Sequence, residues 1–392
     1  MKIAVITHNY IRRQGDLTAL YLHRLAAGLA ERGMEIKILC PHAPGLLPVD
    51  NIDGVAITRF KYPFWKSRSI VYTGNMQEEV SGSLSGKIVF AGLLRSFYRE
   101  GLALCKREEI DLIWANWWIP PGLAAARIAS KLKRPLVISS HGSDLALLGK
   151  PGLVAALSNY VYRRTSKATV VSSFLREKLL QNVDVISPDN IAVIPMPVGM
   201  EYFPRTEPPH NDRTAFLSVA RFTRQKRLTD LISAADLVRQ EGFDFNVIMI
   251  GEGPLENELK EMVASKNLTD NFEILPLVAQ QKLGEFYRAC DVTLLVSENE
   301  GFGLVLVEAG LTGRPTIGAR SGGIVDFIEN EKTGLLIEPG DIKGLAQAMK
   351  RIITDRELCH RLGAGAYLKA TESFSTPVLV GKIFDLFSGL KN

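Results

Sequence analysis

A chain of 392 residues, 46% apolar and 23% charged, has the composition of an ordinary soluble globular protein and is long enough for two or more domains, each burying its own core. No apolar stretch approaches the roughly 20 residues that a membrane helix requires, and Cys40, Cys105, Cys290 and Cys359 are scattered without metal-ligand spacing, which favours a reducing cytoplasm and gives no support for zinc. Residues 1–200 hold 25 Lys+Arg against 15 Asp+Glu, so the rest of the chain carries 22 against 27, and the first half is expected to face something anionic. With no nucleic-acid motif and with basic residues spread over many elements, the expected partner is an anionic membrane surface or a phosphorylated acceptor rather than a nucleic acid.

In chain order, residues 2–7 read as a first buried strand; their apolar run is too short for a signal peptide. Helical spacing runs from Thr18 to Arg32 and ends at Gly33, with a second strand at 35–39. Residues 74–86 read as a mobile Gly/Ser loop, followed by a helix from about Lys87 to Arg107. Further strands are expected at 55–60, 112–115, 136–140 and 169–172, and the alternation means a parallel doubly wound sheet. Pro204 to Arg213 has the composition of a linker, after which a second β/α series starts at 215–219, continues at 246–250 and ends near Ala370. The expected division is 1–205 and 206–374, with an amphipathic helix in 375–392.

Several strand ends carry residues suited to a ligand. Three of the four tryptophans cluster in Trp114-Ala115-Asn116-Trp117-Trp118; Trp114 reads as core, and Trp117 or Trp118 as a contact for a sugar-like acceptor. His141-Gly142-Ser143-Asp144 follows the strand at 136–140, where Gly142 lets backbone approach a ligand and Asp144 orders the loop or caps a helix. After the strand at 215–219, Arg221, Arg224 and Lys226 concentrate cations where a pyrophosphate would be bound and neutralised. Gly251-Glu252-Gly253 follows the strand at 246–250 and is by itself an ordinary turn.

The most telling segment is Glu300-Gly301-Phe302-Gly303-Leu304, continuing through apolar residues to Glu308. A strand, a glycine turn and an opening helix form an anion-binding junction. Two carboxylates beside it suit neutral hydroxyls rather than phosphate, so the implied ligand has an anionic centre flanked by hydroxyl-bearing groups. Leu304 to Ala309 is otherwise apolar, so a buried Glu308 needs a partner.

Together with Gly313-Arg314-Pro315-Thr316, Ser321-Gly322-Gly323 and Thr333-Gly334, the run from Asp291 to Gly340 resembles the family 4 retaining glycosyltransferases of the GT-B fold. The resemblance implies two Rossmann-like domains facing across a cleft, with a final helix, Thr376 to Leu386 here, returning to the first domain. It implies transfer of a hexosyl unit from a UDP- or GDP-sugar to a hydroxyl acceptor, with retention and without cofactor or obligatory metal; the basic first half points to a lipid-linked or other anionic glycan precursor as that acceptor. The lack of an Asp-x-Asp triplet is consistent with that. Arg221 and Lys226 then correspond to the phosphate clamp, Glu308 to the ribose ligand, Glu300 to the ligand of the transferred sugar, and His141 to the histidine beside that sugar. Gly15, Gly251, Glu252, Phe302, Gly303 and Leu304 fall in donor-binding loops, as does the segment 275–278.

Three positions depart from the family pattern. Arg227 replaces a glycine after the lysine, Pro276 replaces another, and Gly15-Asp16 stands where paired glycines are usual, so Asp16 is expected to contact the acceptor or turn away. Rival readings are a sugar-nucleotide epimerase or phosphorylase on the same fold and a non-catalytic sugar-nucleotide sensor. No Gly-x-Gly-x-x-Gly opens the first helix, which disfavours a dehydrogenase. Arg12, Arg13, Lys61, Lys66 and Arg68, with Phe64 and Trp65, form the expected patch for an anionic membrane at the inner, cytoplasmic face.

Overall fold

The computed structural model describes residues 1–64, 70–72, 76–209 and 211–390. The chain forms two compact units: Met1–Val171 with Leu175–Pro197 and the segment from Leu379 on, and Val198–Val378 with the short piece Ser172–Phe174.

Among the described residues, the first unit carries eight strands: β1 (Lys2–Ile6), β2 (Glu35–Pro41), β3 (Val49–Ile52), β4 (Val55–Phe60), β5 (Leu112–Asn116), β6 (Leu136–Ser140), β7 (Lys167–Val170) and β8 (Ile191–Val193). Their order is β3-β4-β2-β1-β5-β6-β7-β8, parallel apart from the β3–β4 pair. The central strands are continuous apolar runs because a parallel sheet is covered on both faces; Ile3, Val5, Ile38, Leu112 and Val137 are all fully buried. Ile3 pairs with Ile36 on one side and Leu112 on the other, so the chain reverses its winding between β1 and β5. In open α/β sheets that switch point opens a crevice at the carboxyl ends of the strands.

The helix Thr376–Ser388 buries Leu379, Val380, Ile383 and Phe387 in the same core as Leu22, Leu25 and Trp114. The Phe387 and Trp114 rings meet edge to face at 5.2 Å. Gly28, on the helix Leu20–Glu31, lets it approach so closely that a Cβ there would lie 2.6 Å from Val380 Cγ2.

Two parts of this unit differ from the sequence expectation. Residues 76–86 are not a loop: helices Met76–Gly82 and Leu84–Arg107 abut, with the Ser83 hydroxyl accepting from the Gly86 amide. Gly86 is where the helices meet, since a Cβ would sit 1.9 Å from the Glu79 carbonyl. The β3–β4 hairpin was not expected either, although Asp53 (φ 49°) and Gly54 (φ 78°) form the tight turn that Asp-Gly favours between antiparallel strands.

The second unit carries, among the described residues, β9 (Thr214–Val219), β10 (Phe245–Ile250), β11 (Phe272–Leu275), β12 (Val292–Leu295), β13 (Thr316–Ala319) and β14 (Gly334–Ile337). All pair in parallel, in the order β11-β10-β9-β12-β13-β14, with the switch point between β9 and β12. Phe216, Val247 and Leu294 pack with Leu231 and Met349 from the helices Leu228–Gln240 and Ile342–Thr354. Residues 204–209 have no regular structure. They are fastened by the buried Arg314, which donates to the carbonyls of Thr206, Glu207, Arg288, Cys290 and Thr312 and to the Thr206 hydroxyl. Five backbone carbonyls solvate a charge that burial would otherwise make costly.

Candidate active site

In the second unit the loops after β9 and β12 meet at the switch point. Three consecutive residues of the first loop bind the second. Gln225 donates to the Asn299 carbonyl at 3.0 Å and accepts from the Glu298 amide at 2.9 Å. Lys226 Nζ meets Glu300 Oε2 at 2.5 Å, and Arg227 Nη1 donates to Glu298 Oε2 at 3.0 Å. The lysine and Glu300 side chains are about 15% and 14% exposed, so this ion pair is only partly screened by water.

Arg227 stands at φ 50°, a left-handed conformation that explains why glycine is usual there. Its side chain pairs with Asp230 and Glu298. Arg221 is exposed and has no carboxylate partner among the described residues, so its charge remains available.

Glycines allow the backbone to close around this junction. A Cβ on Gly322 would fall 2.1 Å from the Glu300 carbonyl, and Gly322 has φ +60°. The Gly323 amide donates to that carbonyl at 2.8 Å, and the Ser321 hydroxyl accepts from the Asn299 amide at 2.9 Å. On the other side, a Cβ on Gly251 would lie 1.9 Å from the Ala220 carbonyl, and the Phe222 amide donates to the Glu252 carbonyl at 2.8 Å. Glu252 itself is exposed, as are Pro276 and Leu277 at the end of β11.

Gly303 (φ 87°) precedes the helix Leu304–Leu311, which carries Glu308 at 6% exposure. Glu308 Oε2 accepts from the Tyr287 phenol at 2.8 Å, and Oε1 from Gln280 Nε2 at 3.5 Å. Burial, then the Glu308 charge, hold the Tyr287 phenol far above its usual pKa, so it stays a donor. The buried glutamate thus has the partner that its surroundings demand. Phe302 does not present its ring to a ligand: it is buried against Phe374 at 5.6 Å, leaving only its backbone at the junction.

In the first unit, polar residues gather at the carboxyl ends of β1, β5 and β6. His141 Nε2 lies 3.0 Å from Asn116 Oδ1, and its ring is 4.8 Å from that of Tyr21. With the Asn116 carbonyl as acceptor, the proton sits on Nε2 and Nδ1 keeps its lone pair. The His8 ring lies 4.0 Å from the Trp117 ring. Burial drives the His141 pKa down to about 4, and burial with the neighbouring His141 drives that of His8 down to about 3. Both are neutral near pH 7. His8 Nδ1, Asn116 Nδ2 and His141 Nδ1 are shut from solvent without a protein partner, which gives this corner three unspent hydrogen-bonding groups.

Asp144 holds the corner in shape. Oδ1 accepts from the amides of His141 and Gly142 at 3.1 and 3.2 Å, Oδ2 from the Trp118 amide at 3.4 Å, and its carbonyl from Trp118 Nε1 at 2.9 Å. Burial raises its pKa against these bonds. It orders the loop, as one of the two expected roles had it, and makes no helix-capping bond. Trp118 is fully buried by this arrangement and is core rather than an acceptor contact; Trp117 keeps some exposure. Trp114 is core, with Nε1 donating to the Ser139 hydroxyl.

Gly15 (φ 78°) lies in an exposed turn, and Asp16 turns back onto Arg12 instead of facing outward. Its carboxylate accepts from Arg12 Nε at 2.7 Å and from the Arg12 and Thr18 amides. Burial would raise its pKa, but these donors hold it well below the carboxylate range. Trp65, Lys66 and Arg68 lie outside the described residues.

Sequence reasoning missed His8, Asn116 and Tyr287. The first two had a signal, being polar residues at the carboxyl ends of the apolar strands on either side of the switch point. Tyr287 had none, since an aromatic on an amphipathic helix reads as core.

A family model described as Glycosyl transferases group 1 matches residues 201–369, and one described as Glycosyltransferase Family 4 matches residues 18–202. The N-acetyl-alpha-D-glucosaminyl L-malate synthase of Bacillus anthracis is 28% identical over 289 residues, covering 71% of this chain and 74% of its own length. The D-inositol 3-phosphate glycosyltransferase of Pseudarthrobacter chlorophenolicus is 25% identical, covering 90% of this chain and 86% of its own. Among solved structures, Anabaena Alr3699/HepE in complex with UDP superposes with a TM-score of 0.72 at 18% identity, over 99% of this chain and all of that one.

Proposed function

This chain belongs to the family 4 glycosyltransferases of GT-B fold, and we propose that it transfers a hexosyl unit from a nucleoside diphosphate sugar to a hydroxyl acceptor with retention of configuration. The observation that carries this reading is the junction after β9 and β12, where Lys226, in the loop that also carries Arg221, pairs with Glu300 just ahead of the helix bearing Glu308. On this reading the two cations hold the pyrophosphate and neutralise it as it leaves, which makes a metal unnecessary. Lys226 has three N–H donors, so it can serve Glu300 and a phosphate oxygen together. The second oxygen of Glu300 accepts from a hydroxyl of the transferred sugar, and Glu308, steadied by Tyr287, accepts from the ribose.

In the first unit, neutral His141 offers its Nδ1 lone pair to a hydroxyl of the reacting sugar, with its ring held by Asn116. The leaving phosphate takes the acceptor's proton, so no protein nucleophile is required. The charge of +10 over residues 1–200 favours an anionic acceptor, lipid-linked or soluble. Two of the relatives carry L-malate and D-inositol 3-phosphate in their names, and both are anionic.

The test is a thermal-shift panel of UDP- and GDP-sugars, in which a true donor at 100 times its dissociation constant stabilises by about 2.7 kcal/mol. Proton NMR of the product of the best donor then reads the anomeric configuration, with and without EDTA. No stabilisation by any nucleotide sugar sinks the reading; an inverted product, or loss of turnover in EDTA, removes the corresponding part of it.

A further inference from the structure

Most of the net positive charge of the first 200 residues falls in one stretch of the chain. Residues 84–164 alone hold 12 Lys+Arg against five Asp+Glu, which is +7 of the +10, and one of the five, Asp144, is buried. On the helix Leu84–Arg107, the residues Leu84, Ile88, Arg95, Arg99, Leu102 and Lys106 recur at spacings of three, four and seven and so share one face. That face borders a groove of about 970 Å³ whose floor is apolar, with Leu94, Leu102, Leu123 and Leu157 among its lining residues. Arg95, Arg99, Lys106 and Arg127 also line it, and no Asp or Glu does. Arg95, Lys106 and Arg127 have no carboxylate partner among the described residues; Arg127 lies over the Tyr98 ring at 4.6 Å. Beyond the groove, Leu84 is 75% exposed, Ile88 55% and Leu153 73%.

We propose that this face, between the helices Leu84–Arg107, Leu123–Leu132 and Leu153–Tyr162, docks the protein on an anionic lipid surface. Four cations around an apolar floor, of which only Arg99 has a carboxylate partner, Glu100, match an amphiphile with an anionic head: the guanidinium and ammonium groups meet the head and their stems cover the apolar boundary. A leucine floor offers nothing to a phosphodiester backbone. The patch expected from sequence is less suited, because the Asp16 carboxylate already neutralises Arg12. The inference does not depend on the sugar-transfer reading.

The full chain is sedimented with phosphatidylcholine vesicles, with and without phosphatidylglycerol, at low and high salt. The protein is expected to bind only the phosphatidylglycerol vesicles and to leave them as salt rises, since exposed charges are screened within about 10 Å at 0.1 M. The double variant Arg95→Glu/Arg127→Glu should bind at least about tenfold more weakly, at roughly 1 kcal/mol per cation near such a surface. Arg12→Glu/Arg13→Glu should bind like the wild type. Circular dichroism melts and nucleoside diphosphate affinity monitor the fold; if the glutamate variant melts early, Arg95→Gln/Arg127→Gln replaces it, with a several-fold loss expected. Binding to both vesicle types alike, or to neither, overturns the proposal. So does undiminished binding by the Arg95/Arg127 variant or an equal loss in the Arg12/Arg13 variant. Equally tight binding of polyglutamate would overturn the proposal and assign the face to an acidic protein instead.

Discussion

Lys226 and Glu300 face each other at 2.5 Å across the switch point of the second sheet, so the cation proposed for phosphate and the carboxylate proposed for hydroxyls are one unit. Their effects on binding are therefore coupled. Lys226→Met should strip nucleoside diphosphate affinity by roughly 1.5–3 kcal/mol, the range of a charge-assisted bond, and leave Glu300 half-buried without its partner. Glu300→Gln should spare nucleotide affinity and depress turnover. In the double variant the stability losses should fall short of their sum, with a coupling of about 0.5–3 kcal/mol. Denaturant melts and calorimetric titration of all four proteins check this; additive losses would make the contact incidental.

Tyr287 is the test of the ribose assignment. Tyr287→Phe keeps the ring in the core and removes only the donor to the Glu308 carboxylate, so stability should fall by about 1.5–3 kcal/mol. Nucleotide affinity should fall less than in Glu308→Gln, and turnover at saturating donor should be nearly unchanged. Intact nucleoside affinity in Glu308→Gln would remove the glutamate from the ribose site.

The histidine pair makes stability depend on acidity. His141 and His8 titrate at about 4 and about 3 when folded, against 6.5 when unfolded. Between those values the unfolded chain binds more protons, so their contribution is complete above pH 6.5 and is lost as pH falls through 4. Each contributes a slope of up to about 1.4 kcal/mol per pH unit. Asp144, raised by burial, acts in the opposite sense above its unfolded pKa. Thermal melts from pH 7 to 4 should show the midpoint falling, and His141→Gln should flatten that fall. An unchanged slope in the variant would mean that the ring is protonated in the folded protein.

Arg314 supports the start of the second unit. Arg314→Met removes every donor at once and strands five carbonyls, so it should destabilise by roughly 3–5 kcal/mol, as breaking a buried charged network does. Arg314→Lys should restore little, because an ammonium cannot span the guanidinium fork. Urea midpoints of the three proteins decide it; a loss within error would show that water replaces the guanidinium.

The architecture was legible because both sheets are parallel and buried on two faces, which writes each strand as a short apolar run such as Ile3–Ile6 or Phe245–Ile250. The glycine turns near 251, 303 and 322 could be read because close backbone approach forbids a Cβ at Gly251 and Gly322 and a left-handed φ favours glycine at 303. What could not be read is how side chains divide between ligand and protein. Phe302 goes to the core because Phe374, 72 residues on, receives it; Asp16 goes to Arg12, although its spacing suits an outward turn equally. The helix start at Leu84 was hidden because a serine and glycine run looks the same whether it loops or caps.

The contact of Trp114 with Phe387 also fixes an order of events during synthesis. The first unit's contiguous stretch ends at Pro197, but its core stays open where Leu379, Ile383 and Phe387 belong. At the usual ~5–20 residues per second, the ribosome needs roughly 10–40 s to travel from Pro197 to Phe387. For that interval Leu22, Leu25 and Trp114 line an unfilled seam while the second unit is being made. The half made first is the half finished last.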